Sequence, residues 1–355
     1  MQRALMKGNE AIAEAAIMAG CRFFFGYPIT PQNQIPEYMS KRMPQVDGGC
    51  FLQAESEVSA INMVYGAAGA GARVMTSSSS PGISLKQEGI SYAVGSELPC
   101  VIVNIVRGGP GLGGIQPAQS DYYQATRGGG HGDYRMVVYA PNSVQEAVEL
   151  TQEAFDVADQ YRNPVMLLGD GMLGQMMEPV EMKVVKGREL PKKTWATDGH
   201  IGSERNIINS LYIDPAVLEN HNAHLKAKFD AMEKNEGRVE TIGMQGAQLV
   251  IVAYGTMARI AQKACAEFEK LYGVKVGLIR PITLWPFPFE AIAAAAKQES
   301  VKKILSIEMS LGQMVDDVRL AANGLKPVLF YGRAGGMVPT VSDCIEYLKQ
   351  AKEGM

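Results

Sequence analysis

Residues 51–66 read Phe51-Leu-Gln-Ala-Glu-Ser-Glu57-Val-Ser-Ala-Ile-Asn-Met-Val-Tyr-Gly66. Glu57 opens an apolar helix rich in alanine and glycine, and a carboxylate suits the positive end of a helix dipole. The chain continues through Ala67-Ala-Gly-Ala-Gly-Ala-Arg73 into a short strand that ends in Thr76-Ser-Ser-Ser-Ser-Pro-Gly82. Strand, helix and strand in succession mark an α/β chain.

The alternation extends on both sides. Apolar spacing predicts a helix over 9–20, strands over 21–25 and 50–53, helices over 57–70 and 83–94, and strands over 74–77 and 100–106. A Gly-rich loop covers 107–119. A strand over 136–139, a helix over 143–159 and a strand over 165–168 complete a first unit, 1–180. Residues 181–245 turn polar, and a helix over 218–240 suits an exposed connector. A second unit, 246–355, brings strands over 249–254, 275–279, 303–308 and 327–331. The expected fold is a doubly wound, mostly parallel sheet followed by a smaller α/β domain.

The 355 residues suggest about two domains and can bury a large core. Apolar residues at 46% and charged residues at 20% are ordinary for a globular protein. A net charge of −3 gives no basic field, so no nucleic-acid partner is expected. Five cysteines, at 21, 50, 100, 265 and 344, form no CxxC pair. They read as buried thiols in a reducing cytoplasm, with no metal bound. The N-terminus lacks the apolar core of a signal peptide, and no run reaches the length of a membrane span.

Polar residues gather where the strands end, which is where open parallel sheets hold ligands. Tyr27-Pro28-Ile29-Thr30-Pro31 follows one strand. Its two prolines stiffen it, and Thr30 reads as the N-cap of a helix starting at Pro31. Arg107 follows the strongest strand; its planar fork suits a carboxylate, with a surface charge as the plain alternative. The segment Ser77-Ser78-Ser79-Ser80-Pro81-Gly82 reads otherwise as a Ser-rich turn. Glu57 has a rival in Glu55.

Taken in order, Tyr27–Pro31, Gln53-Ala-Glu-Ser-Glu57 with Gly66 nine residues on, Val106-Arg107-Gly108-Gly109-Pro110 and Gln119-Ser120-Asp121 resemble the alpha subunit of 2-oxoacid:ferredoxin oxidoreductases. The resemblance covers nearly the whole chain, including Glu308-Met309-Ser310-Leu311-Gly312-Gln313-Met314. It implies a thiamine-diphosphate fold of the pyrimidine-binding type, followed by a domain similar to the C-terminal domain of transketolase. It implies that Glu57 is the acid bonded to the pyrimidine N1′, which lets the ring's 4′ nitrogen take the C2 proton. Thr30 and Arg107 match the substrate-binding pair. Tyr27, Pro28, Ile29, Glu57, Ser77, Ser78, Ser79, Ser80 and Pro81 match the cofactor-binding segments.

The implied reaction converts a 2-oxoacid and coenzyme A to an acyl-CoA and carbon dioxide, with electrons passing through iron–sulfur clusters to ferredoxin. The branched-chain pattern, acting on 3-methyl-2-oxobutanoate, is favoured, with 2-oxoglutarate next. Arg127 and Arg135 stay open as cations for a second carboxylate.

A diphosphate half is missing. Leu168-Gly169-Asp170-Gly171 opens like the thiamine Mg²⁺ motif, but Ala196-Thr-Asp-Gly-His200 stands where an Asn is needed, so it reads as a strand-end turn. The Gly108–Gly114 loop lacks GxxxxGK[ST], and Pro110 interrupts it. His221 and His224 are too few for a metal site. Half a site implies a beta subunit carrying Mg²⁺, the diphosphate and a cluster, with room for gamma and ferredoxin-like delta chains. A non-oxidative split thiamine decarboxylase or transketolase-like subunit, and a non-catalytic scaffold, stay open as other readings.

Overall fold

The computed structural model describes residues 3–199 and 204–353; His200 of the 196–200 stretch lies outside them. Six parallel strands lie in the spatial order Cys50–Gln53, Phe23–Gly26, Val74–Ser78, Val101–Val106, Val165–Asp170 and Val137–Tyr139. Every residue of Val101–Val106 and Val165–Asp170 is buried, because both faces of the sheet are covered.

The chain runs outward from Phe23–Gly26 to Cys50–Gln53, then back across to Val74–Ser78. Right-handed crossovers travelling in opposite directions put helices Gln34–Arg42 and Glu57–Gly69 on opposite faces. Helices Gly8–Met18, Gln34–Arg42 and Val144–Tyr161 pack as one layer, and Glu57–Gly69 packs on Ser80–Gly95. The reversal of strand order opens a crevice at the carboxyl ends of the strands. The expected doubly wound sheet is therefore present.

A second sheet has the order Val328–Gly332, Lys303–Glu308, Leu249–Val252, Val276–Pro281, Val239–Ile242, the last strand antiparallel. Among the described residues no helix is long and apolar enough to cross a membrane.

Several expectations need correction. The helix expected over 218–240 is Pro215–Glu236, capped by Asp214, whose Oδ1 accepts from Ala216 N at 2.8 Å. It is not a purely exposed connector. Leu225, Phe229, Met232 and Glu236 form a buried stripe at helical spacing, and the three apolar ones join the main core. Val239–Ile242 leaves that helix to edge the second sheet. Thr283–Trp285, from the second unit, pairs antiparallel with Val137–Tyr139 and edges the first sheet. The connector thus lends an edge strand to the second sheet, and the second unit lends one to the first. Ala4–Lys7 and Met177–Val180 form a further antiparallel pair that the sequence pattern does not reveal.

Thr30 is not a helix cap. The helix starts at Gln34, and residues 29–32 make a turn closed by Gln32 N donating to Ile29 O at 3.1 Å. Thr30 Oγ1 accepts from Asn33 Nδ2 at 3.2 Å instead.

Candidate active site

The acidic residue is set by its cap. Ser56 Oγ accepts from Ser59 N at 3.2 Å, which fixes the first helical turn and makes Glu57 its first residue. Glu57 is only 6% exposed. It faces Gly82 on helix Ser80–Gly95, where a Cβ would stand 2.7 Å from Glu57 Oε1 and 2.0 Å from Ser78 Oγ. Any side chain at 82 would push the helix away. Among the described residues, the buried hydroxyls of Ser78 and Ser79 have no hydrogen-bond partner. Glu55 points into water, where a hydrogen bond with the Ser59 side chain holds its carboxyl below the usual range. Gly66 is exposed with nothing within 4 Å of an added Cβ. Its spacing from Glu57 marks a motif, but the packing comes from Gly82. Gly82→Ala should therefore destabilise the fold by about 1–3 kcal/mol through overpacking. A thermal midpoint equal to the parent's would mean that the two helices can slide apart freely.

Arg107 is 7% exposed and is no surface charge. Its Nη1 donates to Thr30 O at 2.9 Å and its Nη2 to Leu112 O at 3.0 Å. Its Nε is buried without a partner. The backbone of Arg107 is pinned by Ser80, whose Oγ accepts from Arg107 N at 3.1 Å. Ser77 Oγ donates to Gln32 Oε1 at 2.5 Å, and Gln32 Nε2 donates to Tyr27 O at 3.2 Å. The carboxyl ends of the strands so gather Thr30, Ser80 and Arg107 in one cluster and Glu57, Ser78 and Gly82 in another. Tyr27, Ile29 and Pro81 are half-buried beside them; Pro28 is exposed.

The Gly-rich loop turns a carbonyl, not a nest of amides, toward Arg107. It is closed by Gly114 N donating to Gly108 O at 2.8 Å. Gly113 has φ +61, and a Cβ there would meet Gly108 O at 1.9 Å, so glycine is required. A cavity of about 420 Å³ adjoins this loop between the two units, lined by Ser80, Pro81, Asp121, Leu311 and Gln313 among others. Glu57 lies outside its lining. Burial pushes the Asp121 carboxyl up, partly offset by the hydrogen bond from Asn104.

The remaining candidates are structural. Asp170 Oδ1 accepts from Met172 N and Leu173 N at 2.9 and 3.1 Å and caps a short helix, so Gly-Asp-Gly is a strand-end turn. Glu308, fully buried, accepts from Ser306, Ser310 and three backbone amides at the start of helix Met314–Ala322. Gln119 stitches the units together, donating Nε2 to Tyr254 O at 2.9 Å and accepting from Met309 N at 3.1 Å. His221 bonds Gly95 O, and His224 pairs with Glu97. Burial pushes the thiols of Cys21, Cys100, Cys265 and Cys344 up to about 12. Among the described residues no group of His, Cys, Asp and Glu could hold a metal.

Two buried residues escaped the sequence reading. Gln32 and Lys86 have no exposed surface. A lysine four residues after Gly82 and three before Gly89 lies on the glycine face of its helix, and that spacing was the available signal.

Residues 14–241 match the family described as pyruvate flavodoxin/ferredoxin oxidoreductase, thiamine diphosphate-binding, and residues 247–344 match pyruvate:ferredoxin oxidoreductase core domain II. The chain is 47% identical over 350 residues to ketoisovalerate oxidoreductase subunit VorB of Methanothermobacter marburgensis, covering 99% of this chain and 98% of the relative. It is 36% identical to 2-oxoglutarate synthase subunit KorA of Methanothermobacter thermautotrophicus, covering 94% of each. The 2-oxoglutarate:ferredoxin oxidoreductase of Magnetococcus marinus superposes with a TM-score of 0.87 at 26% identity; 98% of this chain spans 65% of that one. A split-gene transketolase shares the fold alone, with a TM-score of 0.57 at 13% identity and 98% of each chain covered. With the family profile covering well over half of the sequence, the chain belongs to the pyruvate flavodoxin/ferredoxin oxidoreductase family, as an alpha-type 2-oxoacid:ferredoxin oxidoreductase subunit.

Proposed function

We propose that this chain supplies the pyrimidine-binding half and the substrate anchor of a thiamine-dependent 2-oxoacid:ferredoxin oxidoreductase. The observation that carries the reading is a pair of buried groups past the carboxyl ends of strands of one sheet. One is the Glu57 carboxyl against Gly82; the other is the Arg107 guanidinium with an unpartnered Nε.

The residues fit the pyrimidine end of thiamine diphosphate. Glu57 offers a carboxyl, and Ser78 and Ser79 offer buried hydroxyls still without partners. They do not fit the diphosphate end, for among the described residues none cluster to hold Mg²⁺. When bound, the cofactor supplies the carbanion chemistry that releases carbon dioxide from a 2-oxoacid. Glu57 would hold the pyrimidine end through its carboxyl, as the group that shares a proton with N1′. Arg107 Nε, with the free N–H groups beside it, grips the substrate carboxylate bidentately. Thr30 and Leu112 carbonyls fix the orientation of that guanidinium. Tyr27, Pro28 and Ile29 would line the cofactor's pocket, and Ser77 holds their loop through Gln32.

A beta subunit then brings Mg²⁺, the diphosphate site and an iron–sulfur cluster. Gamma and ferredoxin-like delta chains can complete the complex, with coenzyme A as acyl acceptor and ferredoxin as electron acceptor. Leu112 and Leu311, 83% and 86% exposed beside the cavity, support coverage by another chain. Free thiols suit a reducing cytoplasm.

The substrate favoured is 3-methyl-2-oxobutanoate. The 47% likeness to a ketoisovalerate enzyme subunit supports it over 2-oxoglutarate. So does Arg127, whose guanidinium is held by Asp317 at 2.8 Å, while Arg135 donates to the neighbouring Tyr134 O. The test is the purified complex assayed with several 2-oxoacids and a low-potential electron acceptor. A kcat/KM highest for 3-methyl-2-oxobutanoate is expected; a preference for 2-oxoglutarate would reverse the substrate assignment, and inactivity with every 2-oxoacid would end the reading.

The isolated chain should bind thiamine diphosphate poorly and carry no iron or sulfide. Tight, Mg²⁺-dependent binding in calorimetry, or stoichiometric iron after reconstitution, would refute the divided site.

A further inference from the structure

Lys86 is fully buried at the back of the Glu57 helix. It lies one turn beyond Gly82 and three residues before Gly89, on one face of helix Ser80–Gly95. Both glycines are contact points with helix Glu57–Gly69. Gly82 meets the Glu57 side chain, and a Cβ on Gly89 would stand 2.6 Å from Ile61 Cγ2. The close approach they permit seals Lys86 between the helices. Its Nζ donates to Glu57 O at 3.4 Å. A buried ammonium needs hydrogen bonds or an opposite charge to replace its water.

The surroundings single out Glu57 as that charge. The Lys86 helix packs mainly on helix Glu57–Gly69 and strand Val101–Val106. The strand carries no titratable side chain. On the facing helix the other titratable group is Tyr65, which pairs with Ser96 at 2.6 Å. From the loop beyond Thr126, Tyr134 donates to Gln87 at 3.1 Å. On the same helix Glu88 accepts from Tyr92 at 2.6 Å.

We propose that Lys86 is a positioning residue for Glu57: its ammonium biases the Glu57 proton toward the pyrimidine N1′ and so sets an alkaline limit on cofactor activation. The proposal rests on Glu57 being the acid of the thiamine site. The ammonium bonds the Glu57 backbone carbonyl rather than the carboxylate, and a buried cation nearby favours the ionised form of a carboxylate. Without it that bias toward the ring is lost. Burial pushes the Lys86 ammonium down to about 8, against the opposing pull of Glu57. Below that pH the lysine is charged and the bias is present; as pH rises through it, the bias is lost.

The experiment follows C2-proton exchange of thiamine diphosphate in the assembled complex, from neutral to well above about pH 8. The wild-type rate should fall as pH rises through that value. Lys86→Met should be roughly ten- to hundredfold slower at neutral pH, with the alkaline fall gone, at unchanged cofactor affinity. Lys86→Arg keeps a charge that does not titrate, so it should retain the neutral rate and also lose the fall. A wild-type rate and profile in Lys86→Met overturns the proposal. If that variant fails to assemble, a wild-type profile without the fall, or an unaltered fall in Lys86→Arg, overturns it equally. Glu57→Gln in the same assay separates the two levels. If it abolishes exchange while Lys86→Met keeps the wild-type rate and profile, only the lysine proposal is lost; if it leaves exchange intact, both fall.

Discussion

Glu57→Gln is expected to slow C2-proton exchange in the assembled complex by at least about a hundredfold, the lower end of what a positioned acid or base contributes. The substitution is nearly isosteric. The Ser56–Ser59 cap does not involve the side chain, and an amide occupies the gap beside Gly82 as a carboxyl does. The fold, subunit assembly and cofactor affinity should therefore stay close to those of the parent. What disappears is the proton that the carboxyl gives to the pyrimidine ring. Exchange of the C2 proton, followed by NMR, reads that step without any substrate. Glu55→Gln is the control, because Glu55 lies in water and should leave the rate unchanged. Loss in Glu55→Gln with normal exchange in Glu57→Gln would identify the wrong carboxyl.

Arg107→Lys should lower kcat/KM for the 2-oxoacid by roughly 10- to 100-fold, the scale of one charged hydrogen bond of about 1.5–3 kcal/mol. Lysine keeps the charge but replaces a flat fork by a point charge on a flexible stem. Arg107 spends two donors on the carbonyls of Thr30 and Leu112 and still has Nε to offer. One ammonium cannot hold two carbonyls in this geometry and also clamp a carboxylate. The loss should appear mainly as a raised KM, with cofactor affinity and assembly nearly unchanged. Normal kinetics would move the anchor to Thr30, to backbone amides or to the partner chain.

Much of the fold was legible because its signals are local. Ser56 and Glu57 announce a helix start, and Val101–Val106 is too apolar and too short to be anything but a buried strand. Repeated alternation of such elements leaves a parallel sheet as the arrangement that buries both faces. The candidate site was partly legible for the same reason, since parallel strands carry their ligand-facing residues just past their carboxyl ends. Tyr27–Thr30, Glu57, Ser79–Pro81 and Arg107 stand there, and Ser77 and Ser78 end their strand.

Pairing across sequence distance was not legible. Thr283–Trp285 carries no mark that it will edge the first sheet, because an edge strand needs only a free row of backbone groups beside it. The stripe of Leu225, Phe229 and Met232 is too sparse to stand out on a polar helix until a core is present to receive it. Thr30 has the right chemistry for a cap; Gln32, drawn inward to Ser77 and Tyr27, turned the chain another way. The sequence by itself determined the element types, the strand-end loops and the chemistry available in them. Tertiary structure alone decided which of those groups lose their water. Glu57, Arg107 and Lys86 matter because glycines at 82, 89 and 113 let helices and loops close over them, and such closeness is a property of packed surfaces that no single segment encodes.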